Sequence, residues 1–407
     1  MPGILQDKDI LLGVSGGIAA YKAADLARRL VGAGARVQVV MTAAAREFIT
    51  PLTFTALTGR EAKGALFGPG AHPLEHVSLG QECHAIVLAP ATANLIGKIA
   101  AGLGDDLLTT ILLAATAPVL VCPAMNVKMW DNPVVQRNLE DLDRRGYAVL
   151  PPAVGEMACG AQGAGRLPEP ADIVEALAAL LTPKDLTGLT LLVSAGPTHE
   201  DLDPVRFLTN RSTGKMGYAL ARMAQRRGAE VVLVSGPSAL PAPVGVERLM
   251  VRTALEMQRV LVERFAAADA VVMAAAVSDY RPAAFAATKI KRGSEEMLLT
   301  LQHNPDLIAD LGRRKHKQVL VGFAAETDDL IAHAQQKLEK KHLDLIVAND
   351  VSRPGSGFAV DTNEVTLLFA DGRTQVYPLL PKEEVADRVL DHLAALVRRV
   401  REEGRHG

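Results

Sequence analysis

Short apolar runs alternate along the chain with longer stretches in which apolar positions recur every three or four residues. In the first half, Ile10–Val14, Arg36–Met41, Ala85–Ala89 and Val119–Cys122 read as strands, and Ala19–Gly32 reads as an amphipathic helix. The rhythm restarts at Leu189, where Thr190–Ser194, Glu230–Ser235, Ala270–Ala275, Gln318–Phe323, Asp344–Ala348 and Val365–Phe369 read as strands. Strands separated by helical patterns predict βαβ units. Parallel sheets built this way are covered on both faces, so their strands read as nearly continuous apolar runs. Between the halves, Thr182–Gly188 (TPKDLTG) gathers Pro, Gly and polar residues after an Ala/Leu-rich helix. The pattern predicts an α/β protein with two Rossmann-like parallel-sheet domains, over residues 1–181 and 188–407.

Composition narrows the classes. Of 407 residues 49% are apolar but only 4% aromatic, so the cores are mostly Ala, Val and Leu. A net charge of −2 argues against a nucleic-acid or membrane-surface protein, although Lys289–Arg292 is locally basic. The three cysteines, Cys83, Cys122 and Cys159, form no CxxC pair, which speaks against a disulfide framework or zinc site. A reducing, cytoplasmic compartment is expected. Met1–Asp9 is neither a signal peptide nor a spanning segment, and Ile111–Cys122 is too short to cross a bilayer.

Candidate chemistry in the first half lies where strands end. Ile10–Val14 runs into Ser15–Lys22 (SGGIAAYK), whose two glycines let backbone N–H groups approach a phosphate at a helix start. No GxGxxG fingerprint is present, so a mononucleotide fits better than NAD. Pro90–Asn94, Ala101–Leu108 (AGLGDDLL) and Pro123–Trp130 (PAMNVKMW) follow later strands or helices and would line the same sheet edge. Thr92, Asn94 and Asn126 there are either caps or ligands of a polar ring or carboxylate. Gly155–Leu167 surrounds Cys159 with glycines and reads as a flap, which makes Cys159 the chemical cysteine and Cys122 a structural one. His72, His76 and His84 cluster without the residues that would complete a metal site, and His76 is the better acid–base candidate.

The ordered set SGGIAAYK, APATANLI, AGLGDDLL, PAMNVKMW and the ACG flap resembles the flavin-containing cysteine decarboxylase family, in its phosphopantothenoylcysteine branch. The resemblance covers about residues 8–180. It implies a flavodoxin-type layer, trimers, and FMN lying between subunits. It implies FMN contacts at Gly16, Gly17, Thr42, Thr92, Asn94 and Asp106, and catalytic roles for His76, Asn126 and Cys159. Asp105 stands where the family often has Asn. The implied chemistry is oxidation of the substrate thiol to a thioaldehyde, loss of CO₂ to an enethiolate, and return of hydride and proton without net redox. His76 would assist the early proton and carboxylate steps, Asn126 would bind the carboxylate, and Cys159 would protonate the enethiolate.

In the second half, Ala195–Glu200 follows a strand, and Asp203–Tyr218 contains Ser-Thr-Gly-Lys without the Ser or Thr that a Walker loop places after its lysine. That loop is either a helix cap or an acyl-phosphate site in which Arg206 and Asn210 meet the oxygens. Ala274–Pro282, Thr288–Arg292, Asn304–Ile308, Val321–Thr327 and Ala348–Asp350 complete an ordered set resembling phosphopantothenate–cysteine ligases over about residues 188–395. The resemblance implies CTP, an acyl-cytidylate, pyrophosphate release and attack by the cysteine amine. It places Ala275, Asp279, Phe323, Lys337 and Lys341 on CTP, with Asn304, Pro305, Asp306, Leu307 and Ile308 nearby. Lys289 would stabilise the reacting phosphate, Asn210 the acyl intermediate, and Arg206 the substrate acid or phosphate. Mg²⁺ would bridge the triphosphate, with no protein ligands legible. The implied partners are 4′-phosphopantothenate, cysteine and CTP. The implied assembly is a homo-oligomer of decarboxylase trimers and ligase dimers, compatible with a dodecamer. The rivals are a flavin or NAD(P) oxidoreductase fused to a nucleotide-binding module, and a non-catalytic binder.

Overall fold

A computed structural model describes residues 3–67, 74–156, 160, 162–291, 297–326, 330–350, 357 and 360–406. The chain divides into two compact units, Met1–Thr182 and Pro183–Gly407.

The first unit is built on β1 (Asp9–Val14), β2 (Arg36–Met41), β3 (Ala85–Ala91), β4 (Val119–Pro123) and the short β5 (Ala148–Val149). They form a parallel sheet in the order β2-β1-β3-β4-β5. Side chains alternate across it: Ile10, Leu12 and Val14 enter one apolar layer and Leu11 the other. Helix α1 (Ala20–Gly32) buries Ala20, Ala23, Leu26, Ala27 and Leu30, one helical stripe, in the first layer. After α2 (Pro51–Thr58) and α3 (Glu75–Gln81), the helices α4 (Ala93–Ala101) and α5 (Leu107–Ala114) bury apolar side chains in the opposite layer. The short α6 (Val127–Trp130) leads into α7 (Pro133–Arg144), which joins that layer too. A two-stranded ribbon, β6 (Ala153–Glu156) with β7 (Gln162–Arg166), precedes α8 (Pro170–Leu181). Leu26 and Leu30 are wholly buried, and truncating either to Ala is expected to cost ~2–5 kcal/mol.

The second unit starts at its sheet centre with β8 (Thr190–Ala195). A small antiparallel ribbon follows, β9 (His199–Asp201) with β10 (Phe207–Thr209), and then α9 (Lys215–Arg226). Next come β11 (Glu230–Ser235), β12 (Glu247–Met250), α10 (Ala254–Phe265) and β13 (Ala270–Met273). A second ribbon pairs β14 (Tyr280–Pro282) with β15 (Leu301–His303), before α11 (Leu307–Arg314). The unit ends with β16 (Val319–Glu326), α12 (Leu330–Lys340), β17 (Leu345–Asp350), β18 (Thr362–Phe369), β19 (Thr374–Pro381) and α13 (Lys382–His406). The sheet order is β12-β11-β8-β13-β16-β17-β18-β19. The first six strands are parallel, and β18 and β19 extend the layer as antiparallel strands at one edge. Helices α9 and α13 fill one face of this sheet, and α10, α11 and α12 the other. Among the described residues, no helix is long and apolar enough to cross a membrane.

Candidate active sites

In the first sheet the chain leaves β1 towards β2 on one side, and β3 lies on the other. Connections therefore diverge beyond the carboxyl ends of β1 and β3, where ligands of doubly wound sheets bind. A cavity of about 1100 Å³ opens there. Its wall includes Gly16, Gly17, Thr42, Thr92, Asn94 and Asp106, together with Asn126.

Local chemistry explains each placement. A Cβ on Gly16 would lie 2.6 Å from the Ala44 backbone carbon, so only glycine lets the β1–α1 turn pass the turn after β2. Thr42, Thr92, Asp106 and Asn126 all cap helical turns, accepting from Ala45 N, Leu95 N, Thr109 N and Lys128 N respectively. The two readings open for Asn126 are thus compatible, since the cap also faces the cavity. Asp106 belongs to a capping box with Thr109.

Several lining residues went unassigned in the sequence. Ser15 is buried, donates to the Pro90 carbonyl over 2.6 Å and accepts from Thr92 N over 3.0 Å, so it joins the turns after β1 and β3. Lys22 reaches Glu169 at 2.8 Å, and Arg166 stands 3.7 Å from the same carboxylate. Lys98 binds both Asp105 oxygens at 2.8 and 2.9 Å and lies 3.6 Å from Asp106. The bond to Lys98 holds the Asp105 carboxyl below its ordinary range, and Asp105 raises Lys98 in turn. Lys98 was legible in principle, because it follows Asn94 by four residues on one helix and shares its face.

His76 sits half-buried on α3 and is not among the residues lining this cavity. Cys159 and His72 lie outside the described residues. His84 accepts from Asp9 N over 3.1 Å. Cys122 is fully buried in β4 and burial pushes its thiol far up, while the half-buried Cys83 is pushed up to about 11. Neither thiol is ionised at neutral pH.

In the second unit, connections diverge beyond β8 and β13. Asn210 donates to the carbonyls of Ala276 (3.3 Å) and Val277 (3.1 Å), and Ala275 N donates to Ser194 Oγ at 3.1 Å. Asn304 donates through its side chain to the Ser278 carbonyl, and its backbone N–H bonds the Asp279 carbonyl, both at 2.8 Å. Arg281, another unassigned residue, donates to Asn304 Oδ1 at 3.0 Å and so fixes which end of that amide is the donor. Pro305 follows, and Asp306 caps α11 and meets Lys341 at 2.9 Å. Leu307 is buried, and Ile308 and Phe323 pack against the core. Lys337 is half-buried on α12, and Lys289 is exposed. Arg206 has its guanidinium on Asp203 and on the Ile290 carbonyl. Among the described residues no group of three or more His, Cys, Asp or Glu could hold a metal.

Residues 2–182 match the family model described as Flavoprotein, and residues 186–397 match the DNA/pantothenate metabolism flavoprotein C-terminal domain. A coenzyme A biosynthesis bifunctional protein CoaBC of Vibrio vulnificus is 48% identical over 97% of this chain and 99% of its own length. The chain belongs to the CoaBC family. The Escherichia coli CoaBC is 46% identical, over 96% of this chain and 97% of its own. A solved FMN-dependent cysteine decarboxylase, SpaF, is 32% identical over 44% of this chain and 97% of its own, with a TM-score of 0.37. As a CoaBC, the chain is a bifunctional enzyme of coenzyme A biosynthesis, with a phosphopantothenoylcysteine decarboxylase and a phosphopantothenate–cysteine ligase.

Proposed function

We propose that residues 1–181 are an FMN-dependent decarboxylase and residues 188–407 a CTP-dependent ligase, which together make 4′-phosphopantetheine. The observation that carries this reading is the gathering of Gly16, Gly17, Thr42, Thr92, Asn94, Asp106 and Asn126 on one cavity. The wall chemistry suits a flavin mononucleotide. A helix start and Lys22 offer positive charge to a phosphate, and hydroxyls and amides suit a polar ring. At about 1100 Å³ the cavity has room for such a ligand, since sites of this kind span ~300–1,000 Å³.

Bound FMN would supply reversible two-electron chemistry at the substrate thiol, which gives CO₂ loss an electron sink. The chain's own residues bind and move protons. Asn126 presents an amide to the substrate carboxylate, and Cys159 delivers the final proton. His76 assists the carboxylate step from a neighbouring copy. Two observations support this reading: His76 is not among the residues lining this cavity, and the cavity lip is open, with Ile18 65% and Tyr21 63% exposed. Such a lip suits cover by another subunit, in keeping with trimers.

In the ligase, the Asn304–Ile308 segment at the start of α11, with Ala275, Asp279, Phe323, Lys337 and Lys341, forms the CTP site. Lys289 stabilises the charge that develops on the α-phosphate as the carboxylate attacks, and Asn210 holds the acyl-cytidylate. Mg²⁺ would come as part of the triphosphate substrate and neutralise its charge, and ligase dimers join the trimers, up to a dodecamer. The test is mass spectrometry of products from CTP, 4′-phosphopantothenate and cysteine with FMN-loaded protein. The expected products are 4′-phosphopantetheine, CMP, pyrophosphate and CO₂. Net consumption of NAD(P)H, or ATP serving where CTP fails, would overturn the reading.

A further inference from the structure

We propose that Asp203 is a positioning residue of the ligase, acting by fixing the backbone next to Lys289. This rests on the role given to Lys289 above. Between β14 and the neighbourhood of Lys289 the chain forms neither helix nor strand. One tether is the bond from Ala286 N to the Leu202 carbonyl, 3.0 Å. The other is a clasp on Ile290. Asp203 Oδ2 accepts from Ile290 N at 3.1 Å, and Arg206 Nη2 donates to the Ile290 carbonyl at 2.7 Å. Both backbone groups of the residue after Lys289 are therefore held by one ion pair.

The pair is itself rigid. Asp203 is only 1% exposed. Its Oδ1 accepts from Val205 N and Arg206 N at 2.8 Å each, and its Oδ2 from Arg206 Nε at 3.0 Å and Nη2 at 2.6 Å. Burial alone would raise this carboxyl, but Arg206 and the backbone N–H groups outweigh it and hold the group well below the usual carboxylate range. Every partner of the carboxylate is a donor, so an amide at 203 must turn its NH₂ towards one of them. A charge-stabilising side chain works only from a fixed place, and a shift of about 1 Å can cost ~100-fold in rate. Arg206, in this arrangement, acts on the reaction through the Lys289 segment.

The test is a double-mutant cycle on the full FMN-loaded chain. Asp203→Asn is expected to lower kcat for pyrophosphate release about tenfold, with KM for CTP changed less than about twofold. CO₂ release from supplied phosphopantothenoylcysteine stays at its original rate, and an unchanged denaturation midpoint of the second unit reports its folding. In a Lys289→Gln background, adding Asp203→Asn is expected to cause no further loss. Arg206→Lys replaces the planar fork by a point charge and gives a second cycle with the same expectation should Asp203→Asn fold poorly. Losses that multiply in both cycles, or an unchanged kcat in the single variants, would overturn the positioning role. Intact pyrophosphate release by Lys289→Gln would instead remove the role of Lys289, a distinct result that takes this proposal with it.

Discussion

Asn304 donates its side-chain amide to the Ser278 carbonyl over 2.8 Å, and so bridges the loop after β13 to the loop before α11. With its backbone bond to Asp279, it sets the spacing between Asp279 and Asp306.

Replacing Asn304 with Ala leaves the Ser278 carbonyl and the Arg281 guanidinium without this partner. An unmade hydrogen bond of this kind costs ~1–3 kcal/mol. The expected outcome is a rise in KM for CTP of roughly tenfold, read from pyrophosphate release, with CO₂ release unaltered. An unchanged KM would place Asn304 outside the nucleotide site.

Ser15→Ala is expected to weaken FMN retention. The buried hydroxyl is the partner of Thr92 N and of the Pro90 carbonyl; alanine leaves the Thr92 N–H unpaired and the Pro90 carbonyl with only the bond from the residue 15 backbone N–H. Loss on the order of 1–2 kcal/mol corresponds to roughly tenfold in flavin affinity. Fluorescence of released flavin during dialysis measures it, and wild-type retention would show that the junction does not shape the cavity.

Lys382 gives a pH signature. It is 6% exposed, it donates to the Gly357 and Val360 carbonyls, and burial lowers it from 10.5 to about 8. Unfolded, the amine keeps its proton to about 10.5, while folded it releases it near 8, so unfolding between these values takes up a proton. Stability from this group therefore rises with pH across that window, by on the order of 2–3 kcal/mol. Chemical denaturation at pH 7.5 and 9.5 (about the two sides of that midpoint) checks it. Lys382→Met is expected to flatten the rise, and an equal rise in the variant would assign it to other groups.

Cys159→Ser is expected to release CO₂ yet fail to complete 4′-phosphopantetheine, because serine is a much weaker acid than cysteine. Mass spectrometry of an anaerobic single turnover should find a species two hydrogens (about 2 Da) lighter. Normal product would remove Cys159 from the mechanism, and absent CO₂ would move it to an earlier step.

The strands that carry the sites were readable because parallel strands between helical layers must be apolar throughout, as Ala85–Ala91 is. β5 has two residues, β12 reads ERLM, and β19 mixes polar residues with proline, so none offered such a run. Glycine turns and capping residues also show in sequence, since their constraints are local. Ser15 and Thr92 are 77 positions apart, and Asp203 and Ile290 are 87 apart. No periodicity reports such pairs, because they exist only once the sheet has brought strand ends together. The same applies to Arg206, whose bond to the Ile290 carbonyl joins positions 84 apart.

The antiparallel strand β19 closes one side of the second sheet, with Val376 60% and Leu379 47% exposed. An open strand with apolar side chains is a template on which other chains can polymerise. Here Pro378 interrupts it between those two residues and has no N–H to offer an incoming strand. The pairing of β18 with β19 also slips by a bulge at Asn363/Val365, which twists the ribbon away from a flat register. The second unit is thereby guarded against fibre growth from the edge of its own sheet.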